Sequence, residues 1–404
     1  MTWPQARQQW ALAPRASGRT AARVAAHAPG TDVLLATAFL VDLVTPFLIW
    51  KGLLPDVVRW GSHAALAGMM LLAVAHMMQA DRVPGVVLLI AIVSAIGLAS
   101  GYFRGQGITA TAWGWWVMFQ FPMVGLYTYT RPSWPAHWPT TVRRALVIGL
   151  AAVVLVQIGQ YLTGETPGDN LAGLFGRRGT ANLMLYVALV VSVGLGLWLA
   201  RGTWKTLAVV LVLGMLASVL GEIKMFLPTV FSLGLLALGL FSVRQRRMGR
   251  LLLYVLLLLV VAWLFVVAYD AVVSTPRGTR PLAEYLQLRT LDRYLGTANR
   301  TIVDGRYVYE IGRNYALFYG WQEIARDPFT LLFGMGLGAR GESRTLGAAG
   351  AGLAEGPLGL SVGTSMLVMM QELGVVGMAM LAGLFIWVVW RLHGDIQRYP
   401  QSEI

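Results

Sequence analysis

The chain has 404 residues, 56% of them hydrophobic and only 13% charged, with a net charge of +13 and a mean hydropathy of +0.62. A soluble globular domain carries about 25% charge, so this composition excludes a water-soluble fold. There is no cysteine, which excludes disulfides and thiolate–metal chemistry; His27, His63, His76, His137 and His393 show no metal-ligand spacing, so no metal or cofactor is expected.

Residues 1–30 hold Arg7, Arg15, Arg19 and Arg23 and no acid, which reads as a cytoplasmic tail. Apolar runs of about 20 residues follow, enough to cross roughly 30 Å of hydrocarbon at 1.5 Å per residue. They fall near 32–50, 60–79, 84–103, 110–129, 145–162, 180–200, 205–220, 225–243, 251–272 and 366–390. Alternating loops carry 16 basic residues on one side and 6 on the other; the positive-inside bias puts both termini in the cytoplasm. The expected fold is therefore an all-α polytopic integral membrane protein of about ten transmembrane helices, with one large, partly helical periplasmic loop before the last helix. Its parts are a tail (1–30), a nine-helix bundle (31–272), the loop domain (273–360), a final transmembrane helix (361–392) and a second cytoplasmic tail (393–404).

Several charges fall where lipid would penalise them. Asp42 lies in mid-span and must face the bundle interior, be protonated or have a partner. Leu174 to Thr180, with Arg177 and Arg178 between glycines just before a span, suits an anion site at a helix start. In Gly221-Glu222-Ile223-Lys224 the two charges meet only if the helix breaks, which Gly221 and Pro228 favour. Lys224 is then placed to neutralise a phosphate, and Glu222 to act as a base. Glu372, near the outer end of the last span, is a second candidate base.

The loop 273–360 carries ten Arg, no Lys and eight acids. Long loops translocate regardless of charge, and arginine alone points to bidentate recognition of carboxylate or phosphate. Tyr285, Tyr294, Tyr307, Tyr309, Tyr315, Tyr319 and Trp321 accompany it, as stacking surfaces for sugar rings or as the packing of a folded cap. Apolar spacing predicts a helix over Tyr307 to Arg326 that stops at Asp327-Pro328. The glycine-rich stretch from Gly334 to Gly363 is expected to be irregular and mobile, as a lid or a linker.

Four passages give the chain a resemblance to the O-antigen ligase and Wzy-type polymerase superfamily of bacterial envelope glycosyltransferases. They are Leu174 to Thr180, Gly221 to Lys224, Arg313 to Gly338 (RNYALFYGWQEIARDPFTLLFGMGLG) and Ser365 to Gly377 (SMLVMMQELGVVG), which cover roughly the C-terminal half in the family's order. The resemblance implies transfer of a glycan from undecaprenyl pyrophosphate onto a hydroxyl at the periplasmic side of the inner membrane, without metal. Ligases of that family carry a histidine before the final span, where this chain has Gly363-Thr364, which points towards a polymerase of exopolysaccharide or O-antigen repeat units. The arginine-plus-ten-plus-glycine pattern of some polymerases is also absent.

On this reading Lys224, Arg178, Arg177, Arg313 and Arg306 hold the pyrophosphate, Glu222 is the first choice of base and Glu372 the second, and Tyr309, Tyr315, Tyr319 and Trp321 bind glycan. The implied partners are a lipid-linked glycan donor and acceptor, the bilayer, a chain-length regulator and a flippase, with no nucleic acid. The rival readings are a ligase that attaches a finished glycan to another acceptor, and a transporter; internal repeats with broken helices at mid-membrane would mark the transporter.

Overall fold

The computed structural model describes residues 29–80, 85–130, 138–168, 170–177, 179–201, 204–245, 248–275, 281–285, 287, 298–303, 306–311, 318, 320–322, 324–340, 342–343, 348–349 and 365–398. Helices dominate them. In chain order these are α1 (Pro29–Trp50), α2 (Trp60–Ala80), α3 (Gly85–Phe103), α4 (Ile108–Thr130), α5 (Trp138–Leu162), α6 (Thr180–Arg201), α7 (Trp204–Leu220), α8 (Phe226–Gln245) and α9 (Met248–Tyr269). The short α10 (Leu282–Tyr285) and α11 (Pro328–Phe333) follow, and then the long α12 (Ser365–Arg398). A helix stands at each of the ten places where the sequence has an apolar run. Among the described residues seven stretches are long and apolar enough to cross a membrane, Val33–Trp50, Asp56–Gln79, Gly85–Phe103, Thr140–Leu162, Thr180–Trp198, Val255–Ser274 and Leu367–Trp387, while Trp204–Leu220 and Phe226–Leu236 are shorter apolar helices.

Between helices in lipid there is little hydrophobic drive, so close packing through small residues carries association. That is what the bundle uses. A Cβ on Gly149 of α5 would sit 2.3 Å from the Tyr186 hydroxyl of α6, which donates to Leu146 O at 2.8 Å. Gly214 of α7 packs on Val187 and Phe226, and Gly234 of α8 on Leu258. Two apolar cores result. The larger joins residues of α1 and α5 to α9; the smaller joins α1 to α4 with Leu337 and Leu373 from the far C-terminal part of the chain.

The segment 273–360 departs from the sequence reading in three places. Residues 307–311, expected to begin a helix, lie in β2 (Arg306–Ile311), antiparallel to β1 (Ala298–Val303), with Val303 opposite Arg306 and Ala298 opposite Ile311. The β-branched and aromatic residues of Thr301-Ile302-Val303 and Tyr307-Val308-Tyr309 outweigh the weaker helical spacing, and Asp304-Gly305 between the runs is a hairpin signal. Short strands β3 (Glu342–Ser343) and β4 (Ala348–Ala349) make a second hairpin. Asp327-Pro328, read as a helix stop, starts α11 instead: Asp327 is the cap residue and Pro328 the first helical position.

The third departure is the glycine-rich stretch. Its part from Gly334 to Arg340, expected to be mobile, is wedged among α3, α4 and α12. A Cβ on Gly336 would lie 2.2 Å from Gly101, one on Gly338 2.0 Å from Ala110 O, and one on Gly334 2.4 Å from the Glu372 backbone. All three have positive φ, so only glycine fits both the conformation and the space. Leu337, fully buried, packs on Gly97, and Ser100 Oγ donates to Gly334 O at 2.6 Å. Irregular backbone is tolerated at membrane depth when protein buries it. Residues 341, 344–347 and 350–363 of the stretch lie outside the described residues.

Candidate functional site

Two glutamates sit at interrupted helices. α7 closes at Leu220, with Glu222 N bonded to Val219 O and Ile223 N to Ser218 O, and the chain turns through Gly221 to Met225 before α8 begins. Glu222 has φ +54 in this turn, the only non-glycine with positive φ among the described residues. A left-handed residue costs roughly 1–2 kcal/mol, and such strain gathers at functional sites. The turn lets charges two residues apart converge: Glu222 Oε1 lies 3.4 Å from Lys224 Nζ and accepts from the Tyr269 hydroxyl at 3.2 Å. Both charged side chains are partly exposed, 28% for Glu222 and 29% for Lys224.

Tyr269 is the last residue of α9. Beyond it Asp270–Ser274 forms a π-helical turn, a feature that often marks functional sites. Asp270 Oδ1 accepts from Ser274 Oγ at 3.0 Å and from Leu282 N at 2.6 Å, tying α10 to the end of α9. The loop between α5 and α6 lies against the same turn, because Gly168 N donates to Leu220 O at 3.0 Å. That loop presents Arg177, exposed, with its Nε bonded to Asn170 Oδ1 at 3.1 Å. Arg178 lies outside the described residues.

The second glutamate, Glu372, is in a different setting. It is 3% exposed, and its Oε1 accepts from the Arg340 amide at 3.0 Å, with the Gly338 amide and the Arg340 charge also on it. Gly374 interrupts α12 with φ +63, and the carbonyls of Gln371 and Glu372 accept from Met335 N and Gly336 N at 2.8 and 3.1 Å. The wedged loop thus closes on α12 through both backbone and carboxylate.

A third charged group fastens the loop from the other side. Arg104, at the end of α3, donates to Asp327 and to Thr330 Oγ1. Asp327 also caps α11, accepting from Thr330 Oγ1 at 2.7 Å and from Thr330 N at 3.1 Å. The Thr330 hydroxyl, then its amide and last the Arg104 charge hold the Asp327 carboxyl below its ordinary value. Asp42 lies near Ser62 of α2, whose hydroxyl donates to Arg59 O at 3.0 Å, and near His63. His63 Nδ1 in turn accepts from Trp116 Nε1 at 3.0 Å, within a group of rings that includes Trp60 and Trp113. These contacts join α2 to α1 and to α4.

The structure brings Glu222 and Lys224 together and sets Arg177 on the neighbouring loop, whereas Glu372 belongs with the smaller core. Arg306 and Tyr309 are on β2, opposite Val303 and Arg300. Trp321 is exposed. Arg313, Tyr315 and Tyr319 lie outside the described residues. Sequence reasoning missed Tyr269, Arg340 and Arg104. Only Asp327-Pro328-Phe329-Thr330, a helix-start signature, offered a local signal for the last of these contacts.

Fold and site together define a helical membrane protein whose helix breaks carry charged side chains. No group of three or more potential metal ligands occurs among the described residues. Comparison of the chain with protein-family models, curated proteins and solved structures finds no match.

Proposed function

We propose that the protein is a glycan polymerase of the bacterial inner membrane, joining undecaprenyl-pyrophosphate-linked oligosaccharide units of an exopolysaccharide or O-antigen on the periplasmic side without a metal. The observation that carries the reading is the Glu222 turn: a carboxylate on a left-handed residue, in contact with an ammonium and a phenol, with an exposed arginine on the loop bonded to the same turn. Glu222 takes the proton from the acceptor hydroxyl as that oxygen attacks C1 of the donor sugar. The bond from C1 to the pyrophosphate breaks, and its electron pair leaves on the phosphate oxygen. Lys224 and Arg177 meet the charge that develops there, with Arg178, Arg306 and Arg313 as the further cations of the reading. Tyr309, Tyr315, Tyr319 and Trp321 offer ring faces to the glycan. Glu372 already spends its carboxylate on backbone amides, which favours an anchoring role over that of base.

The test is to reconstitute the protein in vesicles with an undecaprenyl-pyrophosphate oligosaccharide and resolve the products by length. A ladder of several units is expected. Glu222→Gln should slow it by roughly 10²–10⁴-fold, the usual contribution of a positioned base. An unchanged ladder from Glu222→Gln and Lys224→Met would remove the site assignment. Transfer of one finished glycan to a different acceptor would make the protein a ligase, and movement of the lipid across the vesicle without elongation would make it a transporter.

A further inference from the structure

Two glutamines of α5, Gln157 and Gln160, are 0% and 4% exposed at a level of the bundle where apolar side chains would ordinarily be buried. A buried side-chain amide costs on the order of 1–3 kcal/mol or more unless it is bonded. Gln157 Nε2 donates to Leu171 O at 2.5 Å and to Ala217 O at 3.0 Å, while Gln160 Oε1 accepts from Gly173 N at 3.2 Å. Two carbonyls on one atom fix the orientation of the Gln157 amide, since only its NH2 donates.

The groups captured are informative. Leu171 and Gly173 belong to the loop that carries Arg177, and Ala217 to the last turn of α7, just before Gly221 and Glu222. The loop has little room to shift: a Cβ on Gly173 would lie 2.7 Å from Val153 O and 3.1 Å from Gln157 Cγ, and one on Gly176 2.6 Å from Pro46 O of α1. Leu171 and Ala172 are fully buried.

We infer that Gln157 and Gln160 are positioning residues, an interior amide clamp that holds the Arg177 loop and the Glu222–Lys224 turn in one register so that their cations are presented together to a single polyanion. The inference rests on the proposed function for the identity of that polyanion, a pyrophosphate, but the clamp itself is geometric. One hydrogen bond more or less is worth about 1 kcal/mol in stability. A change in separation of the two cationic segments acts instead on binding, where misplacement by about 1 Å can cost 10²-fold.

Because the chain has no native cysteine, paired spin labels can be placed on introduced ones. Labels at Thr166 and Met225, both exposed, span the clamp, and labels at Val57 and Ile108, also exposed, report on the other core. In the intact protein each pair should give one narrow distance. In Gln157→Leu the first pair should broaden and the second stay narrow, with affinity for inorganic pyrophosphate falling roughly tenfold or more. Gln157→Glu, which keeps the shape and loses both donors, should behave like Gln157→Leu. If Gln157→Leu does not fold, Gln160→Met, which breaks a single bond, gives the same two readings on a smaller scale. A narrow first distance with unchanged affinity overturns the clamp, and so does equal broadening of both pairs, which would make the glutamines general packing contacts. If inorganic pyrophosphate fails to bind even the intact protein, the functional reading falls, and the two distances still decide the clamp.

Discussion

The α7–α8 turn and the α12 break each place a glutamate where a helix is interrupted, yet the two carboxylates have opposite surroundings. Glu222 is 28% exposed and its neighbours are the ends of two side chains, Lys224 and Tyr269. Glu372 is 3% exposed and its neighbours are the amides of a loop wedged into the bundle. Side-chain ends can exchange partners when a ligand arrives, at the cost of a rotamer change. Backbone amides of a loop packed glycine against glycine cannot, so the first arrangement suits chemistry and the second holds architecture.

The largest effect that would break this contrast lies in the loop. Gly338→Ala forces a Cβ to 2.0 Å from Ala110 O at a residue with φ +80, and should prevent the loop from seating, read as loss of the folded protein in detergent. Conformational strain of about 1–3 kcal/mol adds to the clash. Glu372→Ala comes next. It leaves the Gly338 and Arg340 amides without the carboxylate, and a buried donor left without its acceptor costs about 1–3 kcal/mol. Thermal unfolding should show that loss, with Glu372→Gln, which keeps an acceptor, losing less.

Glu222→Gly should go the other way. Glycine relieves the left-handed strain at φ +54, for a gain of roughly 1 kcal/mol. The variant should therefore unfold at a higher temperature and yet make no ladder of products; a stable variant with full activity would erase the distinction between the two glutamates. The smallest effect concerns pH. Asp327 has a folded-state pKa below its unfolded one. Its contribution is present above the unfolded value and is lost as pH falls through the folded value. Protease cutting near Asp327 should thus increase only below the usual carboxylate range, and Asp327→Asn should show the increase at neutral pH.

How legible was this in the sequence? Helix positions were, because apolar runs such as Leu251 to Val267 leave a chain in lipid no other way to satisfy its backbone. The break at Gly221 was legible too, since Glu222 and Lys224 could not share a helix face. The hairpin of 298–311 was present in the β-branched and aromatic residues on either side of Asp304-Gly305 and was outweighed by aromatic residues that also fit a helical period. What no local pattern carried was the fate of Gly334, Gly336 and Gly338. Their partners are Gly101 in α3, Ala110 and Gly114 in α4 and Glu372 in α12, and a glycine in a loop looks the same whether it swings free or is wedged. Gln157 and Gln160 were equally silent, because a polar residue in an apolar run does not announce what it bonds.

The wedged loop also sets a schedule for synthesis. Ser100 and the carbonyl it binds, Gly334 O, are 234 residues apart, and Glu372 follows later still. At about 5–20 residues per second, α3 and α4 wait roughly ten to fifty seconds in the membrane before the segment that fills their glycine faces has been made. For that interval the small core is open along one side. A chaperone or insertase that shields α3 and α4, or a protease that samples unfinished bundles, would act in that window, and a chain cut short before α12 would never leave it.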